Sequence, residues 1–510
     1  MINLHPHGIA LIVCLLLAAC GGGGGSSTAA SSAGTTTGGN TGTGTSNSNS
    51  GNSTGGTTPT TPTNPAVTFN GSVLLGSPTS SSIKVNVFSA DQSGAVTVAY
   101  GSSPDVLMRT TERVTLRAGT PVEFSLSGLM PNQRQYYRVL YEADANTAAW
   151  QGPVQAFQTA RTAGSTFTFA IQGDSHPERS QQFTAELYTR TLDTVAADSP
   201  DFYIMMGDDF SVDTIDPAKI TRALVTERYT QQRPWLNRLS RSTPLFLVNG
   251  NHEQAARYLL DGTPDNVAVW AQNARNSLYS QPGPDDFYSG NTELVPFIGL
   301  LRNHYAWTWG DALFVVLDPY WSSPVAVDNI YGNSKKDNSN MWDVTHGDAQ
   351  YLWLKRVLET SRAAHKFVFA HHVMGTGRGG IELAALWEWG GSNTKGLDEM
   401  RTQRPTWAAP IHQLFVQNKV KIFFQGHDHV WVRQQLDGVV YQTLSQPADP
   451  NYALYFDEAY KSGEKHPNTG YTRVTVSPTQ VKVEYVRSLL PKDETAARRQ
   501  GSVVTSYTLQ

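Results

Sequence analysis

Five short apolar runs each end in a turn built from Asp, Asn or His, and this recurrence limits the possible folds more than any other feature of the chain. Phe167-Thr168-Phe169-Ala170-Ile171 runs into Gly173-Asp174-Ser175-His176, and Phe202 to Met206 runs into Gly207-Asp208-Asp209. Phe246-Leu247-Val248 leads to Asn249-Gly250-Asn251-His252-Glu253, and Phe367 to Ala370 leads to His371-His372. Val420 to Phe424 leads to Gly426-His427-Asp428-His429. Runs of this length, separated by helical patterns, read as buried and mainly parallel strands. Ligands of such sheets collect beyond the carboxyl ends of the strands, so the five polar clusters are expected to converge on one edge.

The intervening segments supply the helices. Phe183, Leu187, Tyr188, Leu192 and Val195 recur at helical spacing, as do Tyr351, Leu354, Val357 and Leu358. Ile411, Leu414 and Phe415 follow Pro410, which suits a helix start. Val439-Val440-Tyr441 and the alternating Val474, Val476, Val481, Val483 and Tyr485 read as antiparallel strands finishing a second sheet. Before residue 161 the pattern differs: Ser81 to Val87 and Ala95 to Tyr100 alternate between turn residues, which predicts a small β-sandwich over residues 66–160. The main α/β domain is expected over residues 161–490, with a C-terminal segment at 491–510. Insertions near 254–300, 320–347 and 375–409 leave from the reactive strand ends and are expected to form the rim of the site.

At 510 residues the chain is too long for one ordinary domain, and its first part is not globular. Ile9 to Ala19 is an apolar segment of signal-peptide length, short of the ~20 residues that span a bilayer. It ends in Leu17-Ala18-Ala19-Cys20, which resembles a bacterial lipobox, although Met1 to His7 lacks the usual Lys or Arg. The resemblance implies a signal peptide at 1–20, lipidation at Cys20, and export to a membrane, with the outer membrane facing periplasm or cell surface expected because Gly21 is not Asp. Residues 21–65 are almost wholly Gly, Ser, Thr and Asn with late Pro, a tether of roughly 35 to 40 Å root-mean-square span. Both cysteines, Cys14 and Cys20, lie in the leader, so the chain beyond Cys20 has no thiol with which to form a disulfide. A net charge of -4 shows no basic field for nucleic acid.

Asp174, His176, Asp208, Asn251, His371, His427 and His429 offer oxygen and imidazole donors without sulfur, a set that suits Zn, Mn or Fe better than Ca or Mg. Seven donors exceed what one ion that also holds water needs, but they suit two ions sharing a carboxylate, for which Asp208 is the natural bridge.

The ordered set Asp-x-His, Gly-Asp, Gly-Asn-His-Glu, His and Gly-His-x-His resembles the calcineurin-like metallophosphoesterase superfamily. The preceding β-sandwich, Val368 to His371, and Gln350-Tyr351-Leu352-Trp353-Leu354 look most like its purple acid phosphatase branch. Leu126 to Pro131 with Tyr136-Tyr137-Arg138-Val139 resembles the tyrosine corner of fibronectin type III-like domains. The resemblance implies an αββα sandwich of two mixed sheets flanked by helices. It implies one ion on Asp174, His176 and His429, another on Asn251, His371 and His427, Asp208 between them, and His252 as proton donor or as a hydrogen bond to the transition state. Asn251, His252, His372 and Arg378 are the candidate substrate contacts; His372 equally suits a supporting hydrogen bond behind the ligands, and Arg378, in its Gly-rich loop, is more commonly a solvated residue than a phosphate clamp. Trp387, Trp389 and Trp407 are expected either to stack on a leaving group or to pack the rim, and Trp431 and Arg433 to brace the metal turn. His304, His346, His365 and His412 read as structural, and Asp209 and Glu253 as groups that orient ligands or satisfy backbone. Two departures stand out: Ser211 occupies the position of the branch's metal-binding Tyr, and His176 that of a Gly. A ferric ion is therefore not required.

The implied activity is acid phosphatase-like hydrolysis of phosphate monoesters by in-line attack of a metal-bridging hydroxide. A phosphodiesterase or nucleotidase on the same metals is the alternative, and a non-catalytic surface interaction protein the second.

Overall fold

A computed structural model describes residues 67–144, 148–327, 340–373 and 377–510. The apolar leader, Cys20 and the tether lie outside the described residues. The five apolar runs form the strands Phe167–Gln172, Tyr203–Met205, Leu245–Leu247, His365–Phe369 and Ile422–Gln425. The first three pair in parallel, as do the last two with each other. They belong to two different sheets. Among the described residues one sheet has nine strands and the other eight.

Each run is apolar throughout because both of its faces are buried. Phe169, Phe202, Phe246, Phe369 and Phe424 point into the core between the sheets. Ala170, Tyr203, Met205, Leu245 and Leu247 alternate with them onto the helices of the first sheet, and Val368 and Phe423 onto those of the second. The inter-sheet core is an aromatic stack: Phe169 lies 5.3 Å from Phe202, Phe246 4.1 Å from Trp307, and Phe369 5.1 Å from Phe424, all near parallel. Helices Ala185–Asp198, Arg222–Gln231, Arg233–Ser240 and Val267–Leu278 supply residues to the outer core of the first sheet. Gly347–Thr360 and Ile411–Gln417 do so for the second. Thr184 accepts a bond from Leu187 N–H and so starts the first helix where the apolar stripe begins. The αββα arrangement is the one expected.

Strand assignment differs from expectation at both ends. Val439–Thr443 joins the second sheet, but the hairpin Gly470–Val476 and Val481–Arg487 pairs beside Phe167–Gln172 in the first. Val474, Val476, Val481, Val483 and Tyr485 enter the same inter-sheet core, so alternation predicted the strands but could not choose between two sheets sharing one interior. Val503–Leu509, in the segment set apart as a C-terminal tail, forms the sheet's edge.

The N-terminal strands do pack as two layers, with Ile83, Val85 and Val87 against Val96, Val98 and Val139. One layer, Ser72–Gly76, Ser82–Phe88 and Val122–Ser127, continues the large first sheet through the parallel pair Gly76 and Leu245. Residues Thr63–Gln510 accordingly group as one compact unit. Gly76 permits the join, since a Cβ there would lie 2.2 Å from the Ser280 carbonyl oxygen. Tyr137, placed by resemblance at a tyrosine corner, lies in strand Arg134–Glu142 of the other layer; it donates to the carbonyl of Arg241 at 2.8 Å and ties that layer to the end of the helix Arg233–Ser240. Among the described residues no helix is long and apolar enough to cross a membrane.

Candidate metal centre

The five turns follow strand ends of both sheets, and their backbones are unusual. His176, Asp208, His427 and His429 all have left-handed φ, at 43°, 55°, 67° and 51°. L-residues adopt this conformation at a cost, and such strain collects where side chains are aimed for function. Two glycines make the close approach possible. A Cβ on Gly426 would lie 2.4 Å from Asp174 Oδ1, and one on Gly207, at φ +96°, would lie 2.5 Å from the Gly250 nitrogen.

The seven expected ligands are all buried. Asp174, His176 and His429 form one cluster, with His429 Nε2 3.0 Å and His176 Nε2 3.8 Å from Asp174 Oδ2. Asp208 Oδ2 lies 3.7 Å from His176 Nε2 and 3.0 Å from His371 Nε2, reaching both halves of the set. His371 also clusters with His427 and with His372, for which the sequence suggested a substrate contact. Asn251 is buried in the turn beside His252, whose backbone N–H donates to Asp208 Oδ1 at 3.0 Å.

These residues fit metal ions on the structure's own terms. His176 Nδ1 is within reach of Glu178 Oε1 at 3.0 Å and Ser211 Oγ at 3.1 Å, and His371 Nδ1 donates to the Met206 carbonyl at 2.7 Å. Nε2 of His176 and Nε2 of His372 are buried and make no hydrogen bond among the described residues, while Nε2 of His371 faces the Asp208 carboxylate at 3.0 Å. Imidazoles fixed at one nitrogen and bare at the other are what a metal site requires, and buried polar atoms are otherwise rarely left so.

Further carboxylates hold the turns. Glu253 accepts from the backbone N–H groups of Asp208, Asp209, Phe210 and Gly250 at 2.6 to 3.1 Å, locking two turns together. Burial and the neighbouring Asp208 raise its pKa to about 7. Asp209 accepts from Gln172 Nε2 and Ser175 Oγ. Both therefore orient the turns, as expected. Burial works against ionisation of Asp174 and Asp208, yet the histidines beside them, His371 and His429 for the first, His252 and His371 for the second, hold both well below the usual carboxylate range. His176 is lowered to about 4, chiefly by burial, and so remains neutral.

His252 stands at the edge of the cluster, its Nε2 3.6 Å from Asp208 Oδ2 and its Nδ1 2.7 Å from Asp213 Oδ1. Burial pulls its pKa down, but Asp208 and Asp213 outweigh this and raise it to about 9. Cations held by Asp208 would cancel that carboxylate's share. The Arg179 guanidinium lies 3.1 Å from His252 Nε2, on the open side of the group.

Asp213, Arg179, Glu178 and Tyr320 escaped sequence reasoning. The first three sit two to five residues beyond the expected ligands, in His176-Pro177-Glu178-Arg179 and in Asp208 to Asp213, where their charge beside a donor is the only signal. Tyr320, whose hydroxyl lies 2.6 Å from His372 Nδ1, carries no local signal.

Arg378 is directed differently from the substrate contact considered for it: Nη1 donates to the His427 carbonyl at 2.6 Å and pairs with Asp428, while the guanidinium covers the Phe456 ring at 3.6 Å. It braces the last turn. Trp431 and Arg433, expected in that role, reach elsewhere, Trp431 stacking on Tyr485 and Arg433 on Tyr507 at 4.0 Å. Their side chains follow strand Trp431–Leu436 away from the turn. Trp387, Trp389 and Trp407 are buried and pack the third insertion. His304, His346, His365 and His412 are engaged in packing or hydrogen bonds away from the cluster. The half-exposed Tyr455 and Phe456 face His429 at 6.2 and 6.3 Å.

The sequence profile of calcineurin-like phosphoesterases matches residues 167–431, more than half of the 510-residue chain. The fold is similar to a solved structure of PhoD, with a TM-score of 0.58 at 16% identity, covering 87% of this chain and 92% of that one. It is also similar to purple acid phosphatase PPD1 from yellow lupin (Lupinus luteus) seeds, with a TM-score of 0.53 at 15% identity, covering 86% of this chain and 73% of that one. At these identities the likeness is one of fold. No curated protein sequence matches the chain.

Proposed function

The chain belongs to the calcineurin-like phosphoesterase family, which implies hydrolysis of phosphate esters, and from that premise we propose a two-metal phosphatase acting on phosphate monoesters. The observation that carries this reading is Asp208, whose carboxylate reaches His176 on one side and His371 on the other with His252 beside it. Asp174, His176 and His429 would hold one ion, and His371, His427 and Asn251 the other, with Asp208 shared. Two ions so held would polarise the phosphoryl oxygens and acidify a water towards neutrality.

The chain's own residues do the rest. Arg179 neutralises a phosphoryl oxygen at the open edge, and His252, oriented through Nδ1 by Asp213, presents Nε2 to the departing oxygen. A monoester is favoured over a diester because Arg179 adds a cation for the second negative charge. Zn, Mn or Fe suits the nitrogen-rich donors. The leader argues for an exported lipoprotein anchored at Cys20, with the tether holding the enzyme clear of the membrane.

Turnover of an aryl phosphate monoester and of the matching bis-aryl diester, with metal content measured on the same sample, tests the reading. Monoester preference with about two ions per chain is expected. Diester preference would move the assignment to a phosphodiesterase, and no turnover of either with a filled site would remove the enzymatic reading.

A further inference from the structure

We infer that His372 is itself a metal ligand, completing a three-imidazole half-site with His371 and His427. This rests on the two-metal reading above. The ring nitrogens of these three residues lie within 4.8 Å of one another, and all three side chains are buried. His371 and His427 face each other at 5.2 Å between ring centroids, and His372 lies against His427 at 4.0 Å. His372 is built as its neighbour is. His371 is pinned at Nδ1 by the Met206 carbonyl, and His372 at Nδ1 by the Tyr320 hydroxyl at 2.6 Å. Nε2 of His372 is buried and makes no hydrogen bond among the described residues.

A substrate-binding imidazole would be expected at the open edge, where His252 and Arg179 stand. His372 is only 1% exposed, and one of its ring nitrogens lies within 4.8 Å of a ring nitrogen of His371 and one of His427. With Nε2 on a metal, its proton sits on Nδ1 and is donated to the Tyr320 oxygen. Tyr320 is then a positioning residue, held by its backbone N–H to Asp318 Oδ1 at 2.8 Å, while Asp318 Oδ2 accepts from Asn249 in the turn before Asn251. The two halves become unequal: Asp174, His176 and His429 on one side, three imidazoles with Asn251 on the other. The imidazole-rich half favours Zn over Mn.

The test is metal binding by the full-length chain, stripped with chelator and titrated with Co2+ or Zn2+, following stoichiometry by calorimetry and the Co2+ absorption bands. The expected result is two binding events in the unaltered chain, with one of them weakened about a hundredfold in His372→Ala and the other unchanged. Tyr320→Phe keeps the imidazole and guards against a folding defect; it should weaken the same event by about tenfold. Two events with unchanged affinity and unchanged Co2+ bands in both variants would overturn the ligand role while leaving the two-metal reading intact. A single event in the unaltered chain would overturn the two-metal reading, and this assignment with it.

Discussion

His176 Nδ1 lies 3.1 Å from the hydroxyl of Ser211, joining the two positions at which this chain departs from the purple acid phosphatase pattern. On the two-metal reading proposed above, the imidazole would take up the donor role that the resembled branch gives to a Tyr, and Ser211 would help hold it. Glu178 Oε1, 3.0 Å from the same nitrogen, completes the support. The two departures thus meet in one place in the site.

Removing Glu178 should consequently weaken one metal position without touching a ligand. Glu178→Ala is expected to lower affinity for that ion by about ten- to hundredfold, and Ser211→Ala by less, because the carboxylate still orients the ring. Equilibrium metal titration measures both, and equal affinities across the three proteins would exclude the supporting role.

Asp208 reaches His176 in one half of the cluster at 3.7 Å and His371 in the other at 3.0 Å, closer to His371 than Asp174 is at 3.9 Å. Asp208→Ala should abolish turnover and reduce metal content together. An inactive variant with full occupancy would contradict the shared position.

His252 and Asp213 form a pair at 2.7 Å outside the main donor set. His252→Ala should leave metal content unchanged and slow esters with poor leaving groups by about 10²- to 10⁴-fold, good ones much less. Asp213→Asn should reproduce the pattern in weaker form. Equal losses across a leaving-group series would argue against proton donation.

Arg179 places a partly exposed guanidinium 3.1 Å from His252 Nε2. Arg179→Ala is expected to cut kcat/KM for a monoester by about ten- to hundredfold, the worth of one charge-assisted hydrogen bond, and for a diester by much less. Arg179→Lys should restore part of the loss. A uniform effect on both esters would make Arg179 a general structural group.

Stability should fall in acid partly through His304. Burial, with a smaller contribution from His346, lowers its pKa to about 3, against about 6.5 in an unfolded chain. Between these values the unfolded state binds the extra proton, so stability is complete above about pH 6.5 and declines as pH falls towards 3. A non-titrating His304→Gln variant should show a shallower loss, by at most about 1.4 kcal/mol per pH unit, in melting curves between pH 7 and 4.5. Parallel curves would assign the acid sensitivity to other groups.

Much of the centre was legible because its chemistry is local. A strand buried on both faces writes itself as an unbroken apolar run, and the turn after it needs Gly and a metal-type side chain within a few residues. That is why Asp174, Asp208, Asn251, His371, His427 and His429 stood out, and why the helix beginning after Thr184 was placed from its stripe. Arg378 stayed open between a phosphate clamp and a solvated loop residue, since a charged residue in a Gly-rich loop carries no mark of whether it faces substrate, solvent or, as here, the Asp428 carboxylate.

The sequence alone determined the five strands that end in donor-bearing turns and which family the chain resembles, because periodicity and turn chemistry act over a few residues; it did not mark Tyr305–Trp309 and Ala312–Val316, which enter the second sheet. Only the tertiary structure decided which sheet each strand enters and what stands behind each ligand. The Val474 hairpin had two sheets open to it, and both bury the same face. Met206 supports His371 from 165 residues away and Tyr320 supports His372 from 52, while Gly76 admits the N-terminal strands to the main sheet by a parallel pair with Leu245. Contacts of that reach depend on how whole layers pack, and a linear pattern carries no term for them.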